Sequence, residues 1–356
     1  MSTPPSERNA YVTLITRASY LPGVVILADT LRRHGNQSPL VVLYTSSLSD
    51  AGVKALKLEA PKQNLIPKLC QDLLPPKGSQ ITLIAERFRD TWTKLRAFEL
   101  FEFDTVCFLD ADMAVFGRIE SVFHLRNQFP RDWIIANHSC VCNRGKAPWA
   151  PDDWCPENCA YTCVSHPAAI DEPTQPSPDG PRTHQILNGG MFVFSPTEDM
   201  WTDMMSYFNT TPLLSSFMFP DQDFLAHFFK EKWRAIGWRY NALKTMRYNH
   251  GNIWRDDAVL SLHYIVDKPW TKRVGPDGVA GYKGRDGVTH QWWWDAYNKW
   301  EAERCAETTV LQLVRKGVAP PAGVVDGWLK ETDPDVKAIG SDVQGFANNR
   351  VPITQG

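Results

Sequence analysis

Over the first hundred residues, short unbroken apolar runs alternate with stretches in which apolar residues recur every three or four positions. AYVTLIT (10–16) and PLVVLYT (39–45) read as strands, the second continuous enough to be buried on both faces. LPGVVILADTLRRHG (21–35) reads as a helix closed by Gly35, and SDAGVKALKLEA (49–60) as a helix behind a capping Ser-Asp. DTWTKLRAFELFEF (90–103) predicts a helix whose broad apolar face carries Trp92, Leu95 and Leu100, and it leads into the strand TVCFLDADMAVF (105–116). Strand, helix, strand, helix, helix, strand predicts an α/β domain with a mainly parallel sheet.

Between about 138 and 186 the periodicity stops. Eight prolines from Pro148 to Pro181 and five cysteines mark a long insertion or ordered loop. Regular signals return with a strand at LNGGMFVFSP (187–196), a helix over 197–208 and another at FPDQDFLAHFFKEK (219–232). VLSLHYIVDKPW (259–270) reads as a strand running into a loop, and 271–290 as a Gly-rich mobile stretch. HQWWWDAYNKWEAER (290–304) is helical, with Trp293, Tyr297 and Trp300 on one stripe. The expected organisation is a flexible segment 1–9, one domain over 10–275 carrying the insertion, and a helical extension with a polar tail over 276–356.

Composition narrows the class. Apolar residues at 43% and charged residues at 22% fit an ordinary globular protein, and a formal net charge of −2 argues against a nucleic-acid partner. MSTPPSERNA lacks a basic segment followed by an apolar one, and Arg17, Asp29 and Pro22-Gly23 interrupt the apolar stretch from Tyr11 to Leu31. The expectation is a cytoplasmic protein with no membrane partner, its eight cysteines reduced.

Two aspartates, Asp110 and Asp112, flank Ala111 at the end of a buried strand, where ligands of parallel sheets bind. Such a pair can hold a divalent cation, supply a nucleophile and an acid as in haloacid-dehalogenase-like phosphatases, or merely end a strand. The phosphatase pattern calls for Thr or Val where Ala114 stands. His263, at a second strand end, completes a mixed nitrogen and oxygen set suited to Mn²⁺, and Lys268 follows on the exiting loop as a point charge for phosphate.

TRASYLPGVVILADTLRRHG (16–35), RFRDTWTKLRAFELFEFDTVCFLDADMAVF (87–116), LNGGMFVFSP (187–196), PDQDFL (220–225) and HYIVDKPW (263–270) stand in an order that resembles family 8 glycosyltransferases, the group of glycogenin and galactinol synthase. The resemblance covers about residues 10 to 275. It implies a GT-A fold (Rossmann-like, a mainly parallel central sheet flanked by helices), a UDP-sugar donor, Mn²⁺ and hexosyl transfer with retention. By resemblance Asp110, Asp112 and His263 are the metal ligands, with Ala111 beside them at the donor. Tyr20 falls where an aromatic stacks on uracil and Thr16 near the base. Lys94 resembles the lysine reaching the donor sugar and diphosphate, and Asn188 and Gly189 the pair beside that sugar. Asp221 and Gln222 resemble the Asp-Gln next to the reacting carbon, and Lys268 the lysine on the leaving diphosphate. Arg17 departs from the Asn often found in glycogenin-like sequences. Arg87 and Arg89 compete for one donor-binding role, which is assigned to Arg87. The Cys- and Pro-rich insertion resembles that of galactinol synthases, which favours UDP-galactose over UDP-glucose and myo-inositol or another small polyol as acceptor. A self-glucosylating enzyme and a catalytically silent sugar-nucleotide-binding protein are the alternatives, and a homodimer is the candidate assembly.

His138, Cys140, Cys142, Cys155, Cys159, Cys163 and His166 crowd the insertion. Cys155-x₃-Cys159 and Cys159-x₃-Cys163 have zinc-like spacing, whereas Cys140-x-Cys142 is too tight for the usual pattern. The expectation is a reduced, metal-free cluster that packs a loop beside the acceptor site.

Overall fold

The computed structural model describes residues 7–77, 79, 82–83, 86–324, 326–329 and 351–352; of these, the side chains of 82–83, 86–89 and 351–352 also lie outside the description. Most of the expected segment 1–9 and of the polar tail therefore falls outside the described residues. In chain order the strands are β1 (Asn9–Ile15), β2 (Leu40–Tyr44), β3 (Leu65–Leu69), β4 (Thr82–Leu83), β5 (Thr105–Leu109), β6 (Met113–Val115), β7 (Ile134–His138), β8 (Leu187–Phe194), β9 (Trp233–Ala235), β10 (Ala242–Leu243), β11 (Ser261–His263) and β12 (Val351–Pro352). The helices are α1 (Leu21–Arg33), α2 (Asp50–Gln63), α3 (Ser121–Arg126), α4 (Glu198–Thr210), α5 (Pro220–Phe228), α6 (Met246–Asn249), α7 (Gly287–Glu303) and α8 (Thr308–Arg315).

Seven strands form the central sheet in the order β3-β2-β1-β5-β8-β7-β9. β3, β2, β1 and β5 run parallel, β8 is antiparallel to both of its neighbours, and β9 pairs parallel with β7. Helices α1 and α2 are the crossovers that parallel neighbours require. A small second sheet, β10-β11-β6, stands at the carboxyl end of β5, and β4 pairs with β12. Strand alternation sends Tyr11 and Ile15 to one core with α1, and Ala10 and Val12 to the other with Trp92, Phe98 and the phenylalanines of β8. In that second core the Phe98, Phe108 and Phe192 rings stack, with centroids 5.7 Å apart for Phe98–Phe192 and 5.0 Å for Phe108–Phe192.

Several elements differ from the sequence expectation. The segment before β5 is a 3₁₀ helix, Glu86–Glu99, starting four residues early. Trp92, Leu95 and Phe98 are all fully buried, and a repeat of three eclipses residues three apart, so this spacing suits the tighter helix. β3 was invisible as a strand because Pro67 interrupts it; it lies at the sheet edge, where proline is tolerated. The strand expected over 259–270 shrinks to β11; β9 and β10 are too short to show a period, and the apolar start of β7 gives way to Asn137 and His138.

The residues expected as an extension share the core of the first domain. Trp293, Tyr297 and Trp300 of α7 and Val310 and Leu311 of α8 pack in the cluster that holds Tyr11 and Val24. Glu59 of α2, fully buried, accepts from Arg304 Nε at 2.9 Å and Nη2 at 3.0 Å, from Trp300 Nε1 at 3.2 Å and from Gln63 at 3.0 Å. Among the described residues no helix is long and apolar enough to cross a membrane. Removing one partner of a buried, fully hydrogen-bonded pair strands the other charge. Arg304→Ala should therefore cost ~3–5 kcal/mol of unfolding free energy, read as a lowered denaturant midpoint in guanidinium titration; an unchanged midpoint would show the extension to be dispensable to the core.

Candidate active site

The strand carrying the two aspartates changes sheets where they stand. β5 ends at Leu109, Asp110 N–H donates to the Gly190 carbonyl at 2.8 Å, and Met113 N–H closes a turn onto the Asp110 carbonyl at 3.0 Å. β6 then joins the second sheet, and Tyr264 N–H donates to the Asp112 carbonyl at 2.9 Å. The chain thus turns out of the main sheet with both carboxylates on its carboxyl edge. Helix α1 lies against this turn: a Cβ at position 23 would come 2.2 Å from the Ala111 carbonyl oxygen, so only glycine allows the approach.

His263, at the end of β11, is set against the pair. Its Nδ1 lies 3.0 Å from Asn241 Oδ1, and Asn241 donates its amide to Asn188 Oδ1 at 2.9 Å. With its oxygen facing the ring, Asn241 accepts from Nδ1–H, so Nε2 faces Asp112 Oδ1 at 3.2 Å and Asp110 Oδ2 at 3.7 Å, with a lone pair in the neutral ring and a proton in the charged one. A lone pair facing two carboxylates is repulsive unless a cation or a proton lies between them. One ligand atom from each residue lies within 4.8 Å of the others, and two hard oxygens with one imidazole suit a divalent ion of the Mn²⁺ type. The donor set fits the metal that the sequence implies. Gly190 gives the ring its room, since a Cβ there would meet His263 Cε1 at 2.2 Å.

Two lysines complete the electrostatics. Lys94 pairs with Asp110 at 2.9 Å and Asp221 at 2.5 Å, donates to the Gly189 carbonyl at 3.0 Å and stands 5.1 Å above the Phe108 ring. Lys268 pairs with Asp112 and donates to the Tyr264 carbonyl at 2.9 Å. Burial raises the Asp110 carboxyl above its ordinary value, with Lys94 opposing and Asp112 adding to the rise. Burial pushes Asp112 the same way, but Lys268 and His263 outweigh it and hold that carboxyl well below the usual range. Burial alone would lower Lys94, yet Asp110 and Asp221 keep it above its ordinary value.

Thr16, Tyr20, Lys94, Asp110, Ala111, Asp112, Asn188, Gly189, Asp221, Gln222, His263 and Lys268 all line one cavity of about 740 Å³. The Arg87 side chain lies outside the described residues, as does that of Arg89. Thr16 and Arg17 both donate to Asp90 Oδ2 at 3.2 Å, and the Tyr20 ring meets Trp270 edge-on at 5.8 Å. Gln222 Oε1 accepts from Asn188 Nδ2 and Gly189 N–H, each at 3.4 Å. Asp221 opens α5 without capping it; Asp223 caps instead, accepting from Met218 and Phe219 N–H at 2.7 and 2.9 Å.

Sequence reasoning missed several parts of this cavity. Asn241 stands behind the lining and acts through His263, and Asp90 lines the cavity while holding Thr16 and Arg17; nothing in their neighbourhoods flags them. Trp149, Trp154 and Phe219 build an aromatic wall, with Trp154 stacked on Phe219 at 6.2 Å. Tyr282 and Lys283 arrive from the stretch expected to be mobile. A buried network holds that stretch: Lys244 pairs with Asp267 at 2.6 Å and Asp286 at 2.9 Å, and Tyr282 N–H donates to both carboxylates at 3.1 Å.

A mainly parallel sheet, an Asp-x-Asp turn at its carboxyl edge and a cavity floored by carboxylates and lysines define a GT-A glycosyltransferase. The profile described as glycosyl transferase family 8 matches residues 11–273, so the chain belongs to that family. It is 26% identical over 309 residues to galactinol synthase 1 of Solanum lycopersicum, covering 86% of this chain and 87% of the relative. It is 28% identical over 295 residues to galactinol synthase 2 of Arabidopsis thaliana, covering 82% of each. Among solved structures, an active-site mutant of LgtC superposes with a TM-score of 0.52 at 15% identity, covering 81% of this chain and 95% of that one. The glycosyltransferase GlyE of Streptococcus pneumoniae superposes with a TM-score of 0.50 at 15% identity, covering 89% of this chain and 67% of that one. At such identities the solved structures establish the shared fold.

Asn241 fixes the imidazole from behind, and partners of that kind typically govern metal affinity by one to two orders of magnitude. Asn241→Ala should weaken Mn²⁺ binding ~10–100-fold in isothermal titration with the circular dichroism spectrum unchanged. Unaltered affinity would remove Asn241 from the site.

Proposed function

We propose that this glycosyltransferase moves a galactosyl group from UDP-galactose to myo-inositol or a related small polyol, with Mn²⁺ and with retention of anomeric configuration. The observation that carries the reading is the convergence of Asp110, Asp112 and His263 with Lys94, Lys268, Asp221 and Gln222 in one cavity. The relatives named galactinol synthase, matched over more than four fifths of this chain, support the choice of donor and acceptor.

Asp110, Asp112 and His263 would hold the Mn²⁺, which when bound supplies Lewis-acid stabilisation of the diphosphate. Scission of the anomeric C–O bond leaves negative charge on the β-phosphate. Lys268 is a buried cation at the floor of the cavity, and swinging from Asp112 to the leaving oxygen would stabilise that charge as it forms. Lys94 orders Asp221 and the Gly189 carbonyl at the other side, and Gln222 braces Asn188. An Asp221 carboxylate ion-paired with Lys94 is a poor nucleophile, which favours attack from the face of the departing phosphate. In that path the acceptor proton passes to the phosphate oxygen and no covalent enzyme adduct forms.

In a UDP-release assay over a panel of donors and acceptors, UDP-galactose with myo-inositol should give the highest rate, and Asp112→Asn or EDTA should abolish it. Full activity in EDTA would overturn the metal assignment. Lys268→Ala should lower kcat ~100-fold while donor KM moves far less; a change in KM alone would make Lys268 a ground-state anchor. With UDP-sugar and no acceptor, the intact mass should stay constant. Stepwise gains of about 162 Da per hexose would favour self-glucosylation instead.

A further inference from the structure

We propose that Cys140, Cys142, Cys159 and His250 form a structural zinc site that ties the insertion to the body of the enzyme. Folding adds to the cysteines a ligand that no local spacing could reveal, since His250 lies 91 residues beyond Cys159 in the chain. His250 follows α6, under the small sheet that carries His263, whereas Cys140 and Cys142 leave the end of β7 and Cys159 follows a single 3₁₀ turn, Pro156–Asn158.

Three of the four ligand atoms form one group, and Cys159 reaches the shared nitrogen from the side. Cys140 Sγ is 3.2 Å from Cys142 Sγ and 3.1 Å from His250 Nε2, and Cys159 Sγ approaches the same nitrogen at 3.7 Å. The ligand atoms of Cys140, Cys142 and His250 all lie within 4.8 Å of one another. Around tetrahedral zinc, bonds of about 2.3 Å to sulfur and about 2.0 Å to nitrogen place neighbouring ligand atoms roughly 3.5–3.8 Å apart, so the Cys159 contact already fits and the two Cys140 contacts would open slightly on binding. The sulfurs are too far apart for a disulfide, whose bond is close to about 2.05 Å. Simple apolar packing of thiols accounts poorly for an imidazole that is 1% exposed and directs one nitrogen at two sulfurs while its other nitrogen has no partner.

Soft thiolates with one imidazole select zinc over the hard cations suited to the Asp110–Asp112–His263 set. Four protein ligands leave no open position, so this site holds structure and does no chemistry. The ligands are also not the ones the spacing suggested. Cys163 is exposed and directs its thiol to the Cys159 carbonyl, and His138 turns to the Thr174 carbonyl at 2.7 Å. The tight Cys140-x-Cys142 pair works because the third and fourth ligands come from elsewhere. Ser139 and Cys140 line the cavity next to Lys146, Pro148 and Trp149, so the ion would anchor the aromatic wall on the acceptor side.

Metal analysis by inductively coupled plasma mass spectrometry tests the site without reference to transfer activity. Protein dialysed free of Mn²⁺ should retain about one zinc per chain, as should Asp112→Asn and Cys163→Ser. Cys142→Ser and His250→Ala should lose it and melt at lower temperature. Where these variants fold too poorly to purify, cobalt-substituted wild-type protein should show thiolate-to-cobalt charge transfer in the near ultraviolet and tetrahedral visible bands. Any of three results overturns the proposal: wild-type protein without stoichiometric zinc, cobalt protein lacking the thiolate band, or zinc kept by Cys142→Ser and lost from Asp112→Asn.

Discussion

Three carboxylates and two ammonium groups share the floor of one cavity, and much of the fold serves to hold these charges where they nearly balance. Asp110, Asp112 and Asp221 exceed Lys94 and Lys268 by one negative charge. A diphosphate approaching such a floor is repelled unless further positive charge arrives with it, which a divalent ion supplies. The same arithmetic explains why neither lysine is a solvated helix or loop charge. Each sits on a carboxylate and a backbone carbonyl, in surroundings where an unpaired ion would be costly.

The placement of these groups depends on backbone more than on side chains. β5 abandons the main sheet at the Asp-x-Asp turn, and glycines at 23 and 190 let α1 and the His263 ring approach where any side chain would collide. Asn241 then settles which imidazole nitrogen faces the carboxylates. The aromatic stack of Phe98, Phe108 and Phe192 supports Lys94, whose ammonium lies over the Phe108 ring.

Much of this was legible in the residue pattern, for identifiable reasons. The strands β1, β2, β5 and β8 are unbroken apolar runs, and α1 and α2 carry clear start signals, so the parallel core could be read directly, although α2 continues through Pro61 to Gln63. The Asp-x-Asp, Asn-Gly-Gly, Asp-Gln and His-x₄-Lys motifs are local, so their residues could be named before their meeting place was known. What could not be read depends on contacts distant in sequence. His250 meets cysteines 91 and 110 positions away, Asn241 acts through His263, and Lys244 joins Asp267 to Asp286 beneath Tyr282. β3, β7 and β9 are too short or too interrupted for a period to emerge. The apolar stripe of α7 identified a helix correctly but gave no sign that its partner surface was the pair of crossover helices, α1 and α2.

The pairing of Trp300 and Arg304 with Glu59 of α2 bears on the order in which the protein can be made. Glu59 emerges from the ribosome long before Arg304 and Trp300, so α2 must wait through nearly two hundred and fifty residues of synthesis before its buried carboxylate meets its cation. During that wait the outer face of α1 and α2 is a nascent surface with an unpaired charge and uncovered apolar side chains, the kind of surface that chaperones bind. The loop bearing Tyr282 and Lys283 is translated just ahead of α7. The mouth of the cavity and the seal over the first core are therefore closed by the same later-translated stretch of polypeptide, and neither is complete until that stretch has followed the sheet it covers.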